Sequence, residues 1–349
     1  MNTATRKDIV WINYVKALSI IGVYFVHSGL YYGLFTSSIN TFIHPFYVNA
    51  FFFVSGYLFF RKQLSGNLLC QDIGEYINGG GNTLIISVLY RLAIPTLLFS
   101  IIEFFPSHIL RGHGFGLSAF LYKTIGGCTY WFTAALVVAE LLLFLLLLTR
   151  RKNVWFYFIC SIVLFGLGQY LVKNGISLFA SYPSLPWQYK HGLLAILFLA
   201  FGGLYWRYEA AINKLTNKYV LAVMLMAYVV VLLIAPNYFH VLISMLDVNI
   251  PGIVLSLLSI VILIEVCKLL PVSKLLNYIG KNTIGLYFMS GALPIVLSMV
   301  VHKIILSANY IGLAFVFVGS LAIGLVAVAL MNRFAPWLFD LRVLRKKNN

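Results

Sequence analysis

Apolar residues recur in long uninterrupted stretches at about 9–33, 41–60, 84–105, 129–149, 153–172, 191–206, 218–235, 250–270, 282–302 and 309–332. A helix needs roughly 17–25 such residues to cross about 30 Å of hydrocarbon. The pattern therefore predicts an all-α integral membrane protein, a bundle of about ten transmembrane helices. The longest polar stretches, about 61–83 and 106–128, are loops in this reading, and the run Asn78-Gly79-Gly80-Gly81-Asn82 is a flexible loop by composition. No separate soluble domain is left over, and residues 1–349 are expected to form a single transmembrane domain.

Composition agrees with lipid as the solvent. Apolar residues make up 61% of the chain and charged residues 10%, where soluble domains carry about 25% charge. An ordinary cytosolic enzyme is excluded, because so few charges cannot coat a soluble surface. The net charge of +16 would point to nucleic acid if it covered one soluble face, but it sits at the ends of the spans. One side collects Arg6, Lys7, Arg61, Lys62, Arg91, Arg150, Arg151, Lys152, Arg207, Lys214, Lys218, Lys268, Lys274, Lys281, Arg333, Arg342, Arg345, Lys346 and Lys347. The other has Arg111, Lys123, Lys173, Lys190 and Lys303, and Lys16 lies within the first span. The positive-inside rule then places both termini in the cytoplasm of a multi-pass protein of the cell's inner membrane. Membrane lipid is the expected partner, and nucleic acid is not.

The first span has the basic flank of a signal peptide, but it contains Lys16 and no small-x-small cleavage site, so it is expected to be retained. Cys70, Cys128, Cys160 and Cys267 are scattered, without metal-type spacing, and no disulfide framework follows. His44, His108, His113, His191, His240 and His302 fall at or beyond the outer ends of spans, in no metal-binding spacing. No metal is expected.

An ionisable side chain at mid-membrane costs at least about 2.5–3.5 kcal/mol, which makes Lys16, His27, Glu103, Glu140 and Glu265 the first functional candidates. Lys16 and His27 are eleven residues apart, about 20° past three full helical turns, and so share one helix face with an axial separation of about 16 Å. Such a pair suits a long, partly anionic ligand, and a neutral imidazole at this depth is a competent general base. The alternative is that Lys16 snorkels to the headgroups while His27 hydrogen-bonds within the bundle.

The motifs extend this picture. The opening WINYVKALSIIGVYFVHS resembles the first helix of the membrane-bound acyltransferase 3 family, marked by a basic residue, ten residues, then His, here Lys16 and His27. AFFFVSGYLFF is similar to the family's phenylalanine-rich run ending in Ser55, Gly56 and Tyr57, and YRLAIPTLLF resembles its basic segment before Ile-Pro. TYWFTAALVVAELL at 129–142 resembles its aromatic element with a glutamate, and YIGKNTIGLYFMS at 278–290 its late Ile-Gly-Lys-Asn segment. The order of these five motifs resembles most closely the branch of sugar and exopolysaccharide O-acetylases.

The resemblance implies transfer of an acyl group, most often acetyl, from cytoplasmic acetyl-CoA to a hydroxyl of an extracytoplasmic glycan or lipid-linked sugar. It makes His27 the catalytic base or acyl-handling residue and Lys16 the family's basic residue. Because CoA is a polyanion with a long arm, its phosphates need Lys or Arg near the cytoplasmic mouth, and Lys16, Arg91 and Ser55 are the donor-site candidates. Glu140 is expected to orient His27 or to pair with Lys16, with a purely structural role as the alternative. Tyr130 and Trp131 are expected to shape an outer sugar pocket, or else to serve as interfacial aromatics. Arg91 has interfacial anchoring as its alternative, and Ser55-Gly56 has helix packing.

Three positions depart from the family pattern. Asn13 stands where Asp often precedes the first-helix basic residue, the basic pair before Ile-Pro is reduced to Arg91, and Ser290 stands where the late segment commonly ends in His. The expected function is an integral-membrane, acetyl-CoA-dependent O-acyltransferase. The alternative is a polytopic transporter or flippase, since a multi-span bundle with buried ionisable groups equally suits a relay and substrate path.

Overall fold

The computed structural model describes residues 9–34, 38–64, 82–110, 116–149, 152–179, 185–234, 238–305 and 309–343. Of the residues named above, Arg6, Lys7, Cys70, the Gly79–Gly81 run, Arg111, His113, Arg150, Arg151 and Arg345–Lys347 lie outside the described residues, as does the side chain of His108.

The protein is an all-α membrane protein. Its helices are α1 (Val10–Tyr32), α2 (Ser38–Ile43), α3 (Asn49–Leu64), α4 (Asn82–Val88), α5 (Ile94–Leu110), α6 (Leu117–Lys123), α7 (Trp131–Leu147), α8 (Val154–Lys173), α9 (Tyr189–Leu215) and α10 (Lys218–Ile234). They continue with α11 (Ile250–Leu269), α12 (Lys274–Lys281), α13 (Thr283–Met289), α14 (Ala292–Ile304) and α15 (Tyr310–Phe334). Two-residue strands, Val241–Leu242 and Asp247–Val248, pair antiparallel between α10 and α11. Among the described residues, six helices are long and apolar enough to cross a membrane: α1, Thr83–Pro106, α8, α9, α11 and α15. The pair α13 and α14, bent by 45°, makes a seventh if it is one span. Apolar helices α7 and α10 are each 17 residues long, so they reach about 25 Å at 1.5 Å per residue.

Local chemistry sets several ends. Asn153 accepts from Trp155 N, Ser273 from Leu276 N, and Asn217 from the N–H groups of Tyr219 and Val220, capping α8, α12 and α10. Gly33, at φ 81°, closes α1 in the left-handed conformation.

The helices group into two compact units. The first comprises Met1–Phe51, Thr216–Phe239 and Ile250–Leu325. Its centre is α1, which packs against α11, α12, α13 and α14. Because α1 is wrapped on most sides, it lacks the polar stripe of a surface helix. Tyrosines tie it in place: Tyr14 Oη donates to the Pro271 carbonyl at 3.1 Å and accepts from Ser273 N, and Tyr24 Oη donates to the Leu286 carbonyl at 3.0 Å. Tyr32 stacks on His302 with ring centres 4.5 Å apart.

Asn13 Nδ2 donates to Asn277 Oδ1 at 2.7 Å. The amide at this position, where Asp is common in the pattern, thus ties α1 to α12. Asn13→Ala is expected to destabilise the protein by about 1 kcal/mol. Asn277→Ala should cost a similar amount, with the double variant less destabilised than the sum of the two. Thermal unfolding of the detergent-solubilised variants checks this, and strict additivity would count against the bond.

The second unit comprises Phe52–Leu215, His240–Asn249 and Val326–Asn349. Here α9 packs on α7 and α8, and it meets α3 backbone to backbone. A Cβ on Gly56 would fall 2.0 Å from the Leu199 carbonyl oxygen, and one on Gly202 2.0 Å from that of Phe53. Small residues permit this approach where apolar lipid offers no hydrophobic drive between helices. Gly56 of the Ser-Gly-Tyr motif is therefore a packing residue. Tyr57, next in the motif, donates from its hydroxyl to Glu209 Oε2.

Candidate functional site

In the first unit, α1 runs unbroken from Lys16 to His27 with both side chains half-buried. His27 Nδ1 lies 2.7 Å from the carbonyl oxygen of Ser290, at the end of α13. A carbonyl only accepts, so Nδ1 carries the proton and the lone pair of the neutral ring falls on Nε2. That is the tautomer a general base at Nε2 requires. The ring of Tyr31, one turn on, stands 5.9 Å from that of His27. The Ser290 hydroxyl bonds back to the Tyr287 carbonyl at 2.8 Å. Position 290 thus serves His27 through its main chain, whatever side chain stands there.

The second unit holds Arg91 on a five-residue π-helical turn, Leu89–Ala93, in which Ile94 N bonds to the Leu89 carbonyl. Pro95 is the cause: it lacks the N–H that would bond the Arg91 carbonyl, and its ring crowds that same carbonyl, so the turn widens. The basic residue and Ile-Pro of the motif are one structural device. Glu140, buried on α7, feels the charges of Arg91 and Lys62. Arg91 Nε is buried with no hydrogen-bond partner among the described residues.

The segment after α15 docks beside this turn. Leu341 N bonds to the Tyr90 carbonyl at 3.2 Å, Arg342 Nη1 donates to Ser87 Oγ at 3.2 Å, and Arg342 Nε donates to Asp340 Oδ1 at 2.8 Å. Burial pushes the Asp340 carboxyl up, but hydrogen bonds and charge from Arg342, with the charge of Arg91, outweigh it and hold the group below its ordinary range.

Tyr130 and Trp131 sit at the start of α7. Tyr130 is buried and Trp131 half-buried, its ring 5.6 Å from that of His191. His191 Nε2 donates to the Ser244 carbonyl at 3.2 Å, and His191 Nδ1 is a buried acceptor with no partner among the described residues. Lys190 Nζ donates to Ser177 Oγ at 2.9 Å. The sequence placed His191 and Lys190 at a span's end but held no signal that both are buried or that His191 lies beside Trp131. Ser55, on α3, is half-buried.

Arg91 and Glu140 are thus brought together, and so are Trp131 and His191, while His27 is held by Ser290. His27 presents a base on a membrane helix, and the buried Glu140 lies in the field of Arg91 and Lys62. Searches of curated proteins and of solved structures found no match. The family model described as an acyltransferase domain, of the acyltransferase 3 type, matches residues 9–331, a stretch that opens at the start of α1 and runs into α15. The chain belongs to the acyltransferase 3 family and is a membrane acyltransferase.

Proposed function

We propose that the protein moves an acyl group, acetyl as the resemblance implies, from cytoplasmic acyl-CoA to a hydroxyl of an extracytoplasmic glycan or lipid-linked sugar. The observation that carries the reading is the 2.7 Å bond from His27 to Ser290 O, which leaves Nε2 as the basic atom. In this mechanism His27 Nε2 takes the proton of the acceptor hydroxyl as its oxygen attacks the thioester carbonyl. The new C–O bond forms, the C–S bond breaks, and the leaving CoA thiolate recovers the proton from the imidazolium. Lys16, on the same helix face, serves the anionic donor. The reading places the protein in the inner membrane with both termini cytoplasmic, in keeping with the basic residues at the span ends.

Arg91 is assigned to a donor phosphate. Its buried Nε supports this, because guanidinium groups recognise phosphate through several N–H donors at once. Arg91→Gln is expected to raise KM for acyl-CoA about 10–100-fold, the worth of one charge-assisted hydrogen bond, with kcat nearly unchanged. Initial rates at varied donor concentration decide it, and an unaltered KM removes Arg91 from the donor site.

The overall reading is tested on the surface glycan of producing cells, compared by NMR before and after mild alkali with and without the protein. Alkali-labile acyl groups that appear only with the protein support it and identify the group. An identical glycan whose export changes would favour a transporter.

A further inference from the structure

The ends of α8 and α9 enclose a cavity of about 400 Å³ whose lining includes Lys152, Asn153, Trp155, Trp206, Arg207 and Tyr208. The described lining residues include two cations and no acid. Glu209, next in the chain, is engaged by the Tyr57 hydroxyl. Trp155 Nε1 donates to Tyr208 Oη at 2.8 Å, which fixes both rings and leaves the Tyr208 hydroxyl hydrogen to donate to a ligand. Indole, phenol and two cations around one hollow make a site for an oxyanion at a lipid–water boundary.

A second observation separates a lipid from a soluble anion. From Trp155 the exposed residues Ile159, Ile162, Val163, Leu167 and Tyr170 continue along α8. At 100° per residue they fall on one face, in a stripe about 22 Å long. The window of α8 that qualifies as a membrane span is only 22% buried, the lowest share among the six spans. A stripe of that length exceeds the half-thickness of the bilayer's hydrocarbon, about 15 Å, and it starts at the cavity. In a membrane span such a face meets acyl chains, so the cavity and the stripe together match the two parts of one lipid molecule, where a soluble phosphate would match the cavity alone.

We propose that the cavity binds the headgroup of an anionic diacyl phospholipid whose acyl chains lie along the exposed α8 stripe. Lys152 and Arg207 neutralise the phosphate, and Tyr208 and the indole rings hold the headgroup–glycerol region. This site is separate from the proposed acyl transfer and stands whether or not that reading holds.

The test is native mass spectrometry of the full chain released from detergent after titration with phosphatidylglycerol or phosphatidylcholine of equal chain length. Wild type is expected to retain phosphatidylglycerol about tenfold better. The double variant Lys152→Gln/Arg207→Gln should lose that preference, while Lys123→Gln/Lys303→Gln, with the same change in charge, should keep it. Trp155→Ala should weaken retention of phosphatidylglycerol with the cations intact, and matched thermal melts exclude misfolding as the cause. Equal retention of both lipids by wild type overturns the proposal, as does an unchanged preference in the Lys152/Arg207 variant. Displacement of the lipid by glycerol phosphate or pyrophosphate at equal concentration would identify a soluble phosphate site instead.

Discussion

Purified protein carrying His27→Ala is expected to transfer acyl groups about 10²–10⁴-fold more slowly than wild type, the usual worth of a positioned general base. The argument rests on tautomer. With Nδ1 bound to the Ser290 carbonyl at 2.7 Å, the neutral ring presents its lone pair at Nε2 only, and alanine removes that atom without touching Lys16 or Arg91. The loss should therefore fall on kcat, while KM for acyl-CoA changes by no more than about threefold, because a group that acts mainly in the transition state contributes little to ground-state binding. Radiolabelled acyl-CoA with a glycan acceptor gives both constants. A His27→Ala enzyme with wild-type kcat would end the assignment of His27 as base, and a parallel loss of donor affinity would make it a binding residue.

The largest expected effect on stability is at Gly280. A Cβ at this position would lie 1.9 Å from the carbonyl oxygen of Asn13 and 2.5 Å from its carbonyl carbon. Both are main-chain atoms of α1, the buried centre of its unit, and no rotamer change relieves the clash. Gly280→Ala should destabilise by about 3 kcal/mol or more, the upper range for overpacking. Gly33 is the useful contrast. Its φ of +81° disfavours alanine, but nothing lies within 4 Å of the added carbon, so Gly33→Ala should cost only about 1 kcal/mol. Thermal unfolding of the three proteins in one detergent orders them as wild type, Gly33→Ala, then Gly280→Ala. If Gly280→Ala melted with wild type, the close approach of α1 and α12 would be refuted. The same variant should also lower activity, because the contact that seats α1 seats His27.

Much of the fold was legible because it depends on local chemistry. Each of the ten apolar stretches contains a helix, among them the six long enough by themselves to span. Runs such as 41–60, 129–149 and 218–235 shortened to helices of 16 or 17 residues. Apolarity continues into turns, so hydropathy alone does not mark where helical hydrogen bonding stops. The bend between Met289 and Ala292 within the stretch 282–302 likewise left no mark in hydropathy.

The candidate residues divide along the same line. By itself the sequence determined that this is a helical membrane protein, that Lys16 and His27 share one helix face, and that five ordered motifs match one family. These follow from apolar run length, the 100° advance per residue and residue identity, all of which are carried by the chain. Only the tertiary structure decided what each candidate touches. His27 is held by a main-chain carbonyl, and since every residue has one, no side chain at 290 announces it. Glu140 lies in the field of Arg91 and Lys62, Trp131 faces His191, and Gly56 and Gly280 are the surfaces on which helices meet. Such partners are remote in sequence and come together only through packing, so residue identity nominates the groups while contact distance assigns their roles.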